Sequence, residues 1–327
     1  MSVALVFFTV CLFFAGFNVN AEVFRTVIEG TIEVSPDKPA GNSVTLGINS
    51  SVIITLGSEA RFLRGIELEI TSPQSWLAHR GAVGVSVHNN INAQTPSGVA
   101  DMDANRAVFD PLPARLQTTY HLPVRQSHGL RTTTTVTVLP AVVQISAFPI
   151  LFRMMPVIKG LSDDLETMSF NLTVRPIISD EGAVRLVPRY PPQLRNRPFT
   201  VLIDDNVIAN TQEQIVLREG EHHLVILSDD YRNESRRFVV ERAKVNDLII
   251  ELQDPTPILI LEAPQNAVIY LDNVLFQRNR ESVTVEPGMH EIKFQIGDYT
   301  ITRNLNVQRG KTYRVALTVD LTIQEEN

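Results

Sequence analysis

At 327 residues the chain exceeds the usual size of one domain, so two or three domains are expected, each burying its own core. Hydrophobic residues make up 44% of it, which excludes general disorder. A formal charge of -7 argues against a nucleic-acid partner, because displacing counterions from phosphate requires a basic face.

The first segment, residues 1–21, reads as a signal peptide. An apolar run from Val3 to Phe17 is followed by Val19-Asn20-Ala21, a small-residue pattern that fits cleavage after Ala21. No Lys or Arg precedes the run, so an upstream true start or an uncleaved anchor is the alternative, and such an anchor is the only membrane contact expected. The single cysteine, Cys11, lies inside the run, and Val10 does not supply the small residue that precedes a lipidated cysteine. The exported part would then hold together without disulfides, as is common in bacterial envelope proteins, and would reside in the periplasm or at the cell surface.

Residues 22–185 read as an antiparallel β-sandwich. "SVTLGINSSVIITLG", "RGIELEIT", "GAVGVSVHNN", "TTTTVTVLPAVVQISAF" and "MSFNLTVRP" are short Val-, Ile- and Thr-rich runs punctuated by Gly, Pro, Asn and Asp. Only "PQSWLAHRG" and "LSDDLETM" suggest helical turns, with Ser72 and Ser162 as caps. From Asn89 to Gln117 the periodicity fails and a long loop is expected. Within it "DMDAN" begins like a calcium loop. Arg106 and Leu112 then stand where such a loop requires Gly and Glu.

Trp76, with His79 and Arg80 nearby, is the first candidate for contact with a glycan, since sugar sites pair an exposed aromatic with planar polar groups. The alternative is a buried anchor for the helical turn. Ser86 and His88 share one face of a strand, which permits a hydrolase reading or simple packing. Neither a nucleophile elbow, a phosphate loop nor a paired-cysteine motif is present, so no catalytic residue, metal or cofactor is expected.

Residues 186–197, rich in Pro and Arg, read as a stiff connector whose arginines form either a basic patch or a solvated face. Beyond it the sequence repeats. Residues 198–253 and 259–321 form two units joined by a hinge at 254–258 and followed by a tail at 322–327. "VLIDDNVI" answers to "VIYLDNVL", "REGEHHLVILSDDY" to "EPGMHEIKFQIGDY", and "VERAKVNDLIIEL" to "VQRGKTYRVALTV". Asp205-Asn206 and Asp272-Asn273 are expected to close matching hairpins, and Tyr231 and Tyr299 to bury their rings as corner residues. Adjacent strand residues face opposite sides, so His222 and His223 cannot chelate one metal ion, and a scaffold role is expected for His222 and His290.

The second unit resembles the PEGA domain on Pro264, Ala267, Val268, Tyr270, Leu271, Asp272, Gly288, His290, Tyr299 and Leu317. The first departs from it, with Asp204 where the second has Leu271 and Pro198-Phe199 leading the strand. The resemblance covers about two-fifths of the chain, and implies a small β-sandwich used in tandem in exported bacterial envelope proteins, without assigned catalytic residues. The expected function is therefore a non-enzymatic structural or protein-interaction role with envelope proteins as partners. Binding of cell-wall glycan through residues 22–185 is the alternative, and hydrolysis the weakest reading.

Overall fold

The computed structural model describes residues 22–92, 97–192, 194–277 and 282–318; the expected signal peptide and the tail lie outside them. The chain divides into two compact units, residues 1–179 and 180–327. Each is a stack of β-sheets, so the fold is all-β.

Among the described residues the first unit contains ten strands: β1 (Glu22–Val34), β2 (Asn42–Gly47), β3 (Ser50–Leu56), β4 (Leu63–Thr71), β5 (Val83–Asn89), β6 (Gly98–Pro111), β7 (Gln117–Pro123), β8 (Val136–Val138), β9 (Ile150–Pro156) and β10 (Ser169–Ile178). Strands β1, β3, β9, β5 and β6 close into a barrel, and β2, β10, β4, β7 and β8 form an open sheet against it. Closure depends on two long strands that each serve two neighbours. Glu22–Ile28 of β1 pair with Gly98–Ala104 of β6, while the rest of β1 runs parallel to β3 and the rest of β6 antiparallel to β5. The β1/β3 and β7/β8 pairs are parallel, a departure from the purely antiparallel sandwich expected.

Alternation sorts the barrel side chains. Val52, Ile54, Val85, Val87, Ile150 and Phe152 face the open sheet and meet Leu68, Ile70, Phe170 and Leu172 in the main core. The opposite face encloses a smaller core of Ile28, Ile53, Ala100, Met102 and Leu151.

The loop expected at 89–117 is mostly β6. Its buried row is Ala100, Met102 and Ala104, and its exposed row includes Asp101 and Asp103. Small apolar residues between carboxylates give a weak alternation, and the strand is held by pairing on both sides. Asp101 forms an ion pair with Arg25 at 3.0 Å. The Thr-rich run at 132–148 contributes only β8. Thr132 and Thr133 spend their hydroxyls accepting the N–H groups of Val138 and Val136 instead. The helical turns are a 3-10 turn, Gln74–Ala78, and a single α turn, Asp163–Glu166, and neither receives a side-chain cap.

The second unit repeats one seven-stranded module. Module 1 consists of β11 (Glu181–Arg189), β12 (Thr200–Ile203), β13 (Asn206–Val207), β14 (Ile215–Arg218), β15 (Gly220–Leu227), β16 (Glu234–Val240) and β17 (Val245–Glu251). Module 2 consists of β18 (Ile258–Glu262), β19 (Val268–Leu271), β20 (Val274–Leu275), β21 (Val283–Thr284), β22 (Gly288–Ile296), β23 (Tyr299–Val307) and β24 (Thr312–Ala316). In each, a three-stranded sheet, β14-β11-β17 or β21-β18-β24, faces a four-stranded one, β13-β12-β15-β16 or β20-β19-β22-β23. The first and last strands of each module run parallel, Ala183–Arg189 beside Val245–Glu251 and Ile258–Glu262 beside Thr312–Ala316.

One sequence expectation changes here. The stretch assigned partly to the N-terminal domain and partly to the connector is β11, the central strand of a module 1 sheet. Its Pro188 is tolerated because β14 pairs only with residues 181–184, so beyond them β11 has β17 alone as a neighbour. Two arginines of this strand are paired, Arg185 with Asp247 and Arg189 with Glu251.

Candidate functional site

Trp76 does not offer an exposed ring. It is fully buried in the main core, 5.5 Å edge-on from Phe170, and its indole N–H donates to the Pro113 carbonyl at 2.9 Å. The 3-10 turn puts it there: Trp76 N–H bonds to Pro73, and His79 N–H returns to the Trp76 carbonyl. The indole is the buried anchor of that turn, and the exposed aromatic required for a sugar platform is absent at this position. His79 is half-buried and Arg80 exposed; Arg80 lines a shallow cleft of about 430 Å³ with Pro111–Arg115.

The structure brings His88 and Glu22 together, with Ser86 two residues from His88 on the same strand. Ser86 and His88, two apart on β5, face the interior with no exposure. His88 Nε2 stands 3.4 Å from a Glu22 carboxylate oxygen, and Arg106 holds the other oxygen at 3.1 Å. Phe24 lies between the His88 ring, 4.8 Å away, and the Arg153 guanidinium, 4.3 Å above its face. Burial pushes the His88 imidazole below its usual pKa, against the pull of Glu22, so the ring is neutral near pH 7. Its Nδ1 and the Ser86 hydroxyl have no hydrogen-bond partner. The hydroxyl is thus not hydrogen-bonded to the imidazole, and both groups are fully buried.

The repeated histidines have a shared and fully partnered geometry. His222 Nδ1 donates to Asp204 Oδ2 at 2.6 Å and Nε2 to the Arg218 carbonyl at 2.8 Å, while Asp204 Oδ1 accepts the His223 N–H at 2.9 Å. His290 does the same with Asp272 at 2.6 Å and Glu286 at 2.7 Å, and Asp272 accepts the Glu291 N–H at 2.8 Å. Each clasp ties the first hairpin of its module to the strand after the Gly turn.

Asp204-Asp205 and Asp272-Asn273 both have φ between 48° and 64°, the left-handed pair of a tight hairpin turn. Asp204 therefore corresponds to Asp272, and the sequence alignment that set Asp204 against Leu271 was one residue out.

With acceptors at both nitrogens, the imidazole is held charged. For His222, burial lowers the pKa, but Asp204 and the Arg218 carbonyl outweigh it and the net shift is upward; for His290 the Glu286 carbonyl is the largest cause of a rise. The carboxyls move down, Asp204 chiefly through the His223 N–H and Asp272 chiefly through His290. His223 points the other way, to Ser235 at 2.8 Å. Among the described residues no group of three or more His, Cys, Asp or Glu is placed to hold a metal ion.

The tyrosines, in contrast, part company. Tyr231 is buried, donates to the Leu194 carbonyl and accepts the Arg197 N–H at 3.2 Å. Tyr299 is 83% exposed. The turn before β16 runs over residues 228–233 and the turn before β23 only over 297–298, so Tyr231 sits in the turn, and Tyr299 opens a strand opposite Ile296. Sequence identity at the position concealed this difference in register.

No family model and no curated protein matches the chain. Among solved structures it is similar to the Bacillus anthracis TIE protein, at 8% identity and a TM-score of 0.24 over 90% of this chain and 57% of that one. It is also similar to the pilus adhesin SpaC from Lactobacillus rhamnosus GG, at 6% identity and a TM-score of 0.21 over 90% of this chain and 44% of that one. The open conformation of SpaC gives 7% and 0.21 over 92% and 44%. The chain spans about half the length of these proteins, and superpositions this loose carry neither fold nor function across.

Proposed function

We propose that the chain is an exported, non-enzymatic protein of a bacterial cell envelope, in the periplasm or at the cell surface, and that its two C-terminal modules, PEGA-like in sequence, make protein contacts. The apolar run before Ala21 supports export. The observation that carries the interaction reading is the placement of apolar side chains. Most of the large exposed ones lie on the small modules, including Val239, Val274, Met289 and Tyr299. Exposed side chains of this size gain by burial against a partner. Meanwhile Ser86 and His88 are sealed inside the barrel, where they serve packing.

Crosslinking in intact cells, followed by purification from envelope fractions, tests the reading. The expected result is a defined protein complex with crosslinks on residues 198–318 and no affinity for purified sacculi. Retention on sacculi without a protein partner would support the glycan alternative instead.

A further inference from the structure

The two modules close one end differently. The strand that opens the three-stranded sheet is joined to the four-stranded sheet by residues 190–199 in module 1 and by only 263–267 in module 2. In module 1 this connector folds over the end of the sandwich: the Tyr190 and Phe199 rings lie 6.2 and 6.3 Å from the Tyr231 ring, and the Tyr231 hydroxyl is bonded at both Leu194 and Arg197. A proline-rich stretch, "YPPQLRNRPF", is thus held by one tyrosine through its face and its hydroxyl.

Module 2 lacks that cover. Tyr299 and Ile301 belong to the inward row of β23, since they pair with Ile296 and with Phe294, a core residue. Both are nevertheless exposed. Around them a groove of about 540 Å³ is lined by Pro264, Asn266, Ile296, Tyr299, Ile301 and Leu317. The groove continues the module 2 core, in which Phe294 is buried and Leu317 partly so. Among the described residues β23 is also the edge strand of its sheet, so an occupant lying along it has backbone groups to bond.

We propose that this groove binds an extended segment of a partner protein, carrying proline with leucine or an aromatic residue, which takes the place that residues 190–199 fill in module 1. The proposal rests on the interaction reading above and names its surface. Module 1 supplies the recognition chemistry: a tyrosine ring for the apolar side chains and its hydroxyl for the segment's backbone. Aromatic-lined grooves suit proline-rich segments because these lose little entropy on binding.

The probe is a synthetic peptide of the chain's own residues 189–200, RYPPQLRNRPFT, titrated into the full chain and followed by fluorescence anisotropy. Saturable binding is expected. It should weaken about tenfold or more in Tyr299→Ala, whose thermal transition should match the parent because the side chain is exposed, and likewise in Ile301→Asp. A peptide with serine at its leucine and phenylalanine should bind correspondingly less.

Absence of saturable binding at millimolar peptide, or equal binding by Tyr299→Ala, would overturn the proposal. A photo-crosslinker at position 301 gives two further refuting outcomes: capture of a second copy of the chain, or of residues 319–327 of the same chain. Loss of the proposal leaves the interaction reading standing if crosslinks in cells map to Val239 or Met289.

Discussion

Replacing His290 with Gln should cost module 2 about 1 kcal/mol. The ring makes two hydrogen bonds, to the Asp272 carboxylate and to the Glu286 carbonyl, and only 12% of it is exposed, whereas Asp272 is 47% exposed. A charge-assisted bond is worth about 1.5–3 kcal/mol when enclosed, and solvent at the carboxylate brings it toward about 1. In a domain of about 60–100 residues that is a fall in Tm of roughly 5 °C.

The loss should depend on pH in a specific direction. The folded pKa of His290 lies above its unfolded value of 6.5, so the stabilisation is complete below pH 6.5 and disappears as pH rises through the folded pKa. Asp272 acts oppositely: its folded pKa is below 3.8, and its stabilisation disappears as pH falls through that lowered value. The parent and His290→Gln should therefore differ most between the lowered pKa of Asp272 and pH 6.5, and draw together as pH rises through the raised pKa of His290. Scanning calorimetry is the assay, because the sole tryptophan lies in the first unit and its fluorescence does not follow the modules. An equal difference below pH 6.5 and above the raised pKa of His290 would refute the charged clasp, and no difference would refute the clasp altogether. His222→Gln should behave alike, and the two effects should add.

Three further substitutions test other parts of the structure. Trp76→Ala should destabilise the first unit by about 3–5 kcal/mol, seen as a lowered calorimetric transition, since it empties a large core site and orphans the Pro113 carbonyl. Tyr231→Phe should cost about 1–2 kcal/mol in chemical denaturation through its two lost hydrogen bonds, whereas Tyr299→Phe should change stability by less than about 0.5 kcal/mol. Ser86→Ala should leave the first unit as stable or more stable, because it removes a buried hydroxyl without a partner; a substantial loss in the same denaturation would show that Ser86 has a partner in solution.

Sequence patterning announced the all-β class through Val- and Ile-rich alternation, and the duplication through matched Gly-x-His strands. Its failures have physical causes. The Ala100-Met102-Ala104 row is too weakly apolar to declare a strand, and pairing to β1 makes one. Pro188 looked incompatible with a strand interior, yet β11 loses its second neighbour before reaching it. The clasp carboxylate was displaced by one because the motif Leu-Asp-Asn in module 2 is Ile-Asp-Asp in module 1, and only the left-handed φ values align the turns. The open groove was illegible because it results from a connector five residues shorter, a feature that carries no motif. Trp76 shows the commonest ambiguity: an aromatic beside polar residues reads alike as a platform or an anchor until its burial is known.

The parallel pairing of first and last strands has a mechanical consequence for each module. Tension applied between the two ends of a module pulls β11 and β17, or β18 and β24, in opposite directions along their own axes. The bonds between them are then loaded together in shear and cannot be unzipped singly. Module 1 joins its terminal strands over Ala183–Arg189 and module 2 only over Ile258–Glu262, so stretching would release module 2 first. Under load the two modules would yield in order, module 2 giving up length while module 1 still held.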